Sequence, residues 1–163
     1  MLKQRVFTAL LLAPLALAGV FWLPVAGFAV FIGLVIMLGA WEWANLAGFE
    51  QQSVRVAYAV LAGVACWLTY FLTPALVLGV SGLWWLVAFW LVRGYPGNAH
   101  YCQSRVLRLV MGFLTLVPAW YALVQLKQHP QSGFMIALVL LMIWAADCGA
   151  YFAGKALGKN KLA

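Results

Sequence analysis

From Val6 to Trp41 the chain carries no Asp, Glu, Lys or Arg, an uninterrupted run of 36 residues. A bilayer is crossed by about 20 apolar residues, so this run is too long for one crossing and suited to two. Leu23-Pro24 is the natural place for the reversal, because the residue before a proline is pushed out of the helical region. Thr73-Pro74 splits a second apolar stretch in the same way. With Gly94-Tyr95-Pro96-Gly97-Asn98 and Gln128-His129-Pro130-Gln131-Ser132-Gly133 as polar turns, six spanning segments are predicted, at 6–23, 25–46, 55–73, 75–92, 106–126 and 133–153. The rest of the composition agrees: 67% of the residues are hydrophobic and 8% charged, against roughly 25% charged in soluble chains. An ordinary soluble fold is excluded, and so is disorder. Backbone groups in hydrocarbon must be satisfied within their own segment, so the expected fold class is all-α, a polytopic membrane helical bundle. We expect a single transmembrane domain over residues 1–163, with no internal repeat and no soluble domain.

The ten basic residues set the orientation. With the N-terminus inside, Lys3, Arg5, Arg55, Arg93, Arg105, Arg108, Lys155, Lys159 and Lys161 fall on the cytoplasmic side and Lys127 alone outside. That asymmetry follows the rule that short cytoplasmic loops hold the Lys and Arg, and an even number of crossings returns the C-terminus to the cytoplasm. The basic excess is therefore topological. No cluster of four or more basic residues occurs, and nucleic acid is not an expected partner. Lys3, Arg5 and the small-x-small Ala16-Leu17-Ala18 have the form of a signal peptide. A second apolar segment follows at once, so we read the first as a retained helix. Trp22, Trp41, Trp43 and Trp90 lie near segment ends, as interfacial aromatics do. Short turns make segments 1/2 and 3/4 antiparallel neighbours, and Gly33, Gly39 or Gly63 permit close helix approach.

Asp147 is the acid placed well inside a spanning segment. A carboxylate there costs roughly 2.5–3.5 kcal/mol on insertion scales, so it normally faces a partner, a cavity or an ion. An advance of about 100° per residue puts Asp147, Tyr151, Gly154 and Gly158 within roughly 60° of one another on one face. Lys155, Lys159 and Lys161 would stand at the mouth of a cavity on that face. Carboxylate and lysines together suit a divalent metal and anionic phosphates. The alternative is structural: Asp147 ties two helices by a hydrogen bond, the glycines are a packing stripe, and the lysines only set topology. The residues alone leave both readings open. Glu42, flanked by Trp41 and Trp43, suits an interfacial carboxylate reaching water. Arg105 and Arg108, on one turn, could hold a lipid phosphate or simply set topology. His100 and His129 sit in loops without ligand partners. Cys66, Cys102 and Cys148 have no chelating or disulfide spacing.

Three stretches carry a family resemblance: Met1-Leu-Lys3-Gln-Arg5 before an apolar helix, Ala40-Trp41-Glu42-Trp43-Ala-Asn-Leu-Ala-Gly48-Phe49, and Trp144 to Ala163. The last resembles the Asp-x-x-Ala-Tyr-x-x-Gly-x-x-x-Gly-Lys stretch of bacterial phosphatidate cytidylyltransferases, and the chain is similar to the N-terminal portion of that family. The resemblance implies a multi-pass enzyme of the bacterial inner membrane that transfers CMP from CTP to phosphatidate, yielding CDP-diacylglycerol and pyrophosphate in phospholipid biosynthesis. It implies Mg²⁺ as cofactor, with Asp147 as catalytic and metal-binding residue and with Tyr151, Lys155, Lys159 and Lys161 contacting substrate. Membrane lipids are implied partners, and a second copy of the chain is a further candidate. The family's later Ser-Pro-x-Lys-Thr-x-Glu-Gly segment and C-terminal signature do not occur, so we expect the N-terminal part of a longer enzyme, and whether this chain is active alone stays open. The competing reading is a non-catalytic membrane protein or small transport component that uses Asp147 as an ion site.

Overall fold

The computed structural model describes residues 2–158, and these form α1 (Leu2–Trp22), α2 (Val25–Leu46), α3 (Gln52–Thr69), α4 (Pro74–Arg93), α5 (Arg105–Lys127) and α6 (Ser132–Leu157). A short 3-10 turn, Gly97–Cys102, fills the α4–α5 connection. Among the described residues there is no strand, and five helices, α2 to α6, are long and apolar enough to cross a membrane. The all-helical, multi-pass architecture is as expected. The breaks fall where proline chemistry places them, with Pro24 as the extended N-cap of α2 and Pro74 in the first turn of α4 after an extended Thr73.

One boundary moves. Segment three was expected to start at Arg55 and run to Thr73, whereas α3 covers Gln52–Thr69. At the N-terminal end the reason is that Arg55 lies within the first turn of the helix rather than before it. Its guanidinium lies 3.5 Å from the centroid of the Trp41 ring, its Nε donates to the Trp41 carbonyl at 3.3 Å, and its side chain is 12% exposed. The aliphatic stem and the π face hide most of this arginine in the helix pair.

The chain forms two compact units. One comprises residues 24–125 and holds α2, α3, α4 and most of α5. Here the extensive pairing is α2 with α3 across the Ala47–Gln51 turn, rather than α3 with α4 as expected. Small residues allow it: Ala40 and Ala44 on α2 meet Ala59 and Ala62 on α3, all buried. Gly48, at φ +95°, closes α2 in the left-handed conformation that glycine adopts without strain.

α5 is fastened to this pair by aromatic donors. Trp43 Nε1 donates to the Arg108 carbonyl at 2.8 Å and Tyr58 Oη to the Leu109 carbonyl at 2.7 Å. At the other end Trp120 Nε1 donates to the Ala29 carbonyl at 2.9 Å and Tyr121 Oη to the Leu72 carbonyl at 3.1 Å. Residues 43 and 29 of α2 thus match 108 and 120 of α5, so these helices are antiparallel, while α3 runs parallel to α5. Alternate crossings require that arrangement. Trp41 and Trp43 are accordingly packing residues of the bundle, while Trp90 is exposed. On α4 the better-packed positions are Val77, Ser81, Trp84, Ala88 and Leu91, a stripe at helical spacing. Trp84 Nε1 donates to Thr115 Oγ1 on α5 at 3.1 Å.

Tyr58→Phe removes a bond from phenol to carbonyl and no packing volume. We expect it to lower stability by about 1 kcal/mol, the usual size of a helix–helix hydrogen bond in a membrane. Reversible unfolding in mixed micelles would measure this, and a loss near zero would show that Tyr58 acts by packing alone.

The second unit comprises residues 1–23 and 126–163. Lys127 Nζ donates to the Val20 carbonyl, and Phe21 meets Phe134 edge to face with ring centroids 6.0 Å apart. Gly133 lets the ring of Phe21 approach, since a Cβ there would lie 2.9 Å from it. The end of α1 is thereby clasped to the start of α6.

Candidate functional site

α6 carries the acid singled out by the sequence. It runs unbroken through Leu157, so Asp147, Tyr151 and Gly154 do share a face, and Gly158 follows as its C-cap. In the first half of α6 the least exposed positions are Ser132, Gly133, Met135, Ile136, Ala137, Leu140 and Trp144, all but Met135 on one stripe, and Ile136 is 1% exposed. Continued at helical spacing, the same stripe passes through Asp147 or Cys148 and then Tyr151. The face that carries Asp147 is therefore the prolongation of the packing face rather than of the exposed side.

The burial stops before it reaches the acid. Asp147 and Lys155 are exposed, and Tyr151 is 48% exposed with its ring against Phe152. Cβ atoms placed on Gly149 and Gly154 would meet nothing within 4 Å. Lys159 and Lys161 lie outside the described residues. The structure thus brings Asp147, Tyr151 and Gly154 together along one open helix face, with Lys155 adjacent. A carboxylate on such a face is costly against lipid tails, and small residues beside it leave room for a ligand or a close-packed helix.

The other polar candidates have structural employment. Glu42 Oε1 pairs with Arg55 Nη2 at 3.6 Å while its own side chain is 58% exposed, a geometry of small energetic weight. Arg108, expected either to hold a lipid phosphate or to set topology, has backbone partners. Its guanidinium donates to the carbonyls of Cys102 at 2.7 Å, Gln103 at 3.2 Å and Ala47 at 3.5 Å. Those bonds tie the α4–α5 loop and the end of α2 to α5. Arg105 is exposed and lies against Gly48. His100 Nδ1 bonds the Gly97 carbonyl at 2.9 Å and His129 Nδ1 accepts from the Gln131 amide at 3.4 Å, both local loop contacts. Among the described residues no three of His, Cys, Asp and Glu gather in one place. The sequence reading missed the roles of Arg55 and Arg108, which depend on carbonyls and a ring distant in the chain.

Comparison with known proteins gives three findings. The model of the cytidylyltransferase family matches residues 3–163. A protein of Pseudomonas aeruginosa named phosphatidate cytidylyltransferase is 53% identical over 166 residues, covering 100% of this chain and 61% of the relative. One of Haemophilus influenzae with the same name is 35% identical over 185 residues, covering 100% of this chain and 64% of the relative. The chain therefore spans a little over three fifths of the length of these relatives. No solved structure matches.

Proposed function

The chain belongs to the cytidylyltransferase family, and from that premise we propose that it contributes the membrane-embedded part of an enzyme that transfers CMP from CTP to phosphatidate, releasing pyrophosphate. The observation that carries the reading is the α6 face, where the packing stripe runs on into a carboxylate, a phenol and small residues at the lysine-bearing end. Two relatives named for this activity support it.

Both reactants are anionic, one fixed in the bilayer by its acyl chains and the other dissolved in water. The site must lie at a membrane surface; the basic asymmetry supports the cytoplasmic side, and the bacterial relatives support an inner membrane. Asp147 would hold Mg²⁺ as one of the one or two carboxylates that such an ion takes alongside water and phosphate oxygens. Bound there, Mg²⁺ would neutralise phosphate charge as the phosphatidate oxygen displaces pyrophosphate from the α-phosphorus. Lys155, Lys159 and Lys161 would meet phosphate oxygens, and Tyr151 would position substrate by its hydroxyl.

CTP labelled at the α-phosphorus tests the proposal, using this chain extended by the C-terminal two fifths of the Pseudomonas relative. Label should pass into the organic phase with phosphatidate and stay in water with diacylglycerol. Equal transfer with diacylglycerol, or none with phosphatidate, would contradict it.

A further inference from the structure

Within the unit of residues 24–125, the α2–α3 turn and the start of α5 border a cavity of about 320 Å³, lined by Gly48, Phe49, Glu50, Gln51, Val54 and Arg105. Gly48 shapes it. Its φ of +95° turns the chain, and a Cβ in its place would lie 3.4 Å from Arg105 Nε, so the arginine lies close over the turn.

The charged side chains around this turn divide into two kinds. Arg55 meets Trp41 and Glu42, and Arg108 donates to three carbonyls. Those are engaged by the fold. Arg105 and Glu50 are both exposed and both line the cavity, yet among the described residues neither side chain makes a hydrogen bond or ion pair, with the other or with a third group. Opposite charges that border one cavity without meeting leave each open to a group of the complementary sign.

That pattern selects the class of ligand. A purely anionic molecule on Arg105 would stand beside the Glu50 carboxylate, and a purely cationic one on Glu50 would stand beside the guanidinium, each at a like-charge cost. A molecule carrying a phosphate and a primary ammonium satisfies both. The guanidinium fork takes phosphate oxygens, and the ammonium donates to the carboxylate. Phosphoethanolamine holds these two groups on one short linker. Position then selects a lipid as its source. The cavity lies at a connection between membrane-spanning helices, on the side that the basic asymmetry makes cytoplasmic, where headgroups stand. Leu46 and Val106, close in sequence to the lining residues and 74% and 66% exposed, offer apolar surface for acyl chains.

We propose that this cavity binds the headgroup of an inner-leaflet phosphatidylethanolamine, its phosphate on Arg105 and its ammonium on Glu50. The inference uses the multi-pass arrangement and the basic asymmetry, and is independent of the enzymatic reading of α6. A lipid held there would link the α2–α3 turn to the start of α5 at the membrane surface.

Native mass spectrometry of the 163-residue chain tests this, in micelles supplied with equal concentrations of phosphatidylethanolamine and phosphatidylglycerol of the same acyl chains. The chain should retain the ethanolamine lipid about fivefold over the glycerol lipid, equivalent to roughly 1 kcal/mol for an exposed ion pair. Glu50→Gln should bring that ratio to about one by lowering ethanolamine-lipid binding alone, and Glu50→Lys should invert it. Arg105→Gln should lower binding of both lipids about fivefold. Both positions are exposed, so the helical circular dichroism of each variant should match the parent. Equal retention of the two lipids by the parent, a ratio unmoved by both Glu50 substitutions, or displacement of the lipid by an equal concentration of free phosphoethanolamine would overturn the proposal.

Discussion

Asp147→Asn in the extended chain is expected to lower CTP-dependent turnover by at least about 10³-fold, equivalent to roughly 4 kcal/mol of transition-state stabilisation, while membrane insertion stays intact. The substitution separates the two readings of the acid. Asparagine keeps the size of the side chain and can still bond a neighbouring helix, so a purely structural Asp147 would tolerate it. It removes the charge needed to hold a cation against phosphate oxygens. Insertion should improve slightly, because the amide is cheaper than the carboxylate in hydrocarbon. Turnover per folded molecule, measured beside yield in the membrane fraction, decides the matter. Near-normal turnover would remove Asp147 from the site.

Gly112→Leu is expected to dismantle the unit of residues 24–125. A Cβ on Gly112 would lie 2.5 Å from Trp43 Cδ1 and 2.5 Å from Tyr58 Oη, the two side chains whose donors fasten α5 to α2 and α3. Neither ring can withdraw without breaking its bond to the Arg108 or Leu109 carbonyl. Overpacking and the loss of both bonds together should cost roughly 3–5 kcal/mol. The variant should elute as aggregate on size exclusion in detergent, with reduced helical circular dichroism. Gly79→Leu is the matched control, since a Cβ there meets nothing within 4 Å, and it should elute like the parent. A monodisperse Gly112→Leu protein would show that α5 is not seated as described.

Much of this architecture was legible in the residues, for reasons that also explain what was not. Proline before an apolar run breaks a helix by local sterics, so α2 begins at Val25 and α4 at Pro74 as expected. Helical periodicity is equally local, and it placed Asp147, Tyr151 and Gly154 on one face. Arg55 misled the reading because charge was taken as a boundary marker, whereas a ring and a carbonyl of α2 accept it inside the helix pair. Gly112 drew no notice for the same kind of reason: its importance lies in Trp43 and Tyr58, far away in sequence. The spacing of Ala40, Ala44, Ala59 and Ala62 was the available signal for the α2–α3 pairing. The exposure of Asp147 was beyond reach of periodicity, which assigns a residue to a face and not the packing on that face.

On the proposed function, the Asp147 face acts together with the stretch that the longer relatives have in addition. The most direct test is label transfer from α-labelled CTP to phosphatidate in detergent micelles, run in parallel on the 163-residue chain and on the chain extended by the C-terminal two fifths of the Pseudomonas relative. The account predicts organic-phase label from the extended chain and background from the shorter one. Absence of transfer from both, with both folded, would contradict it.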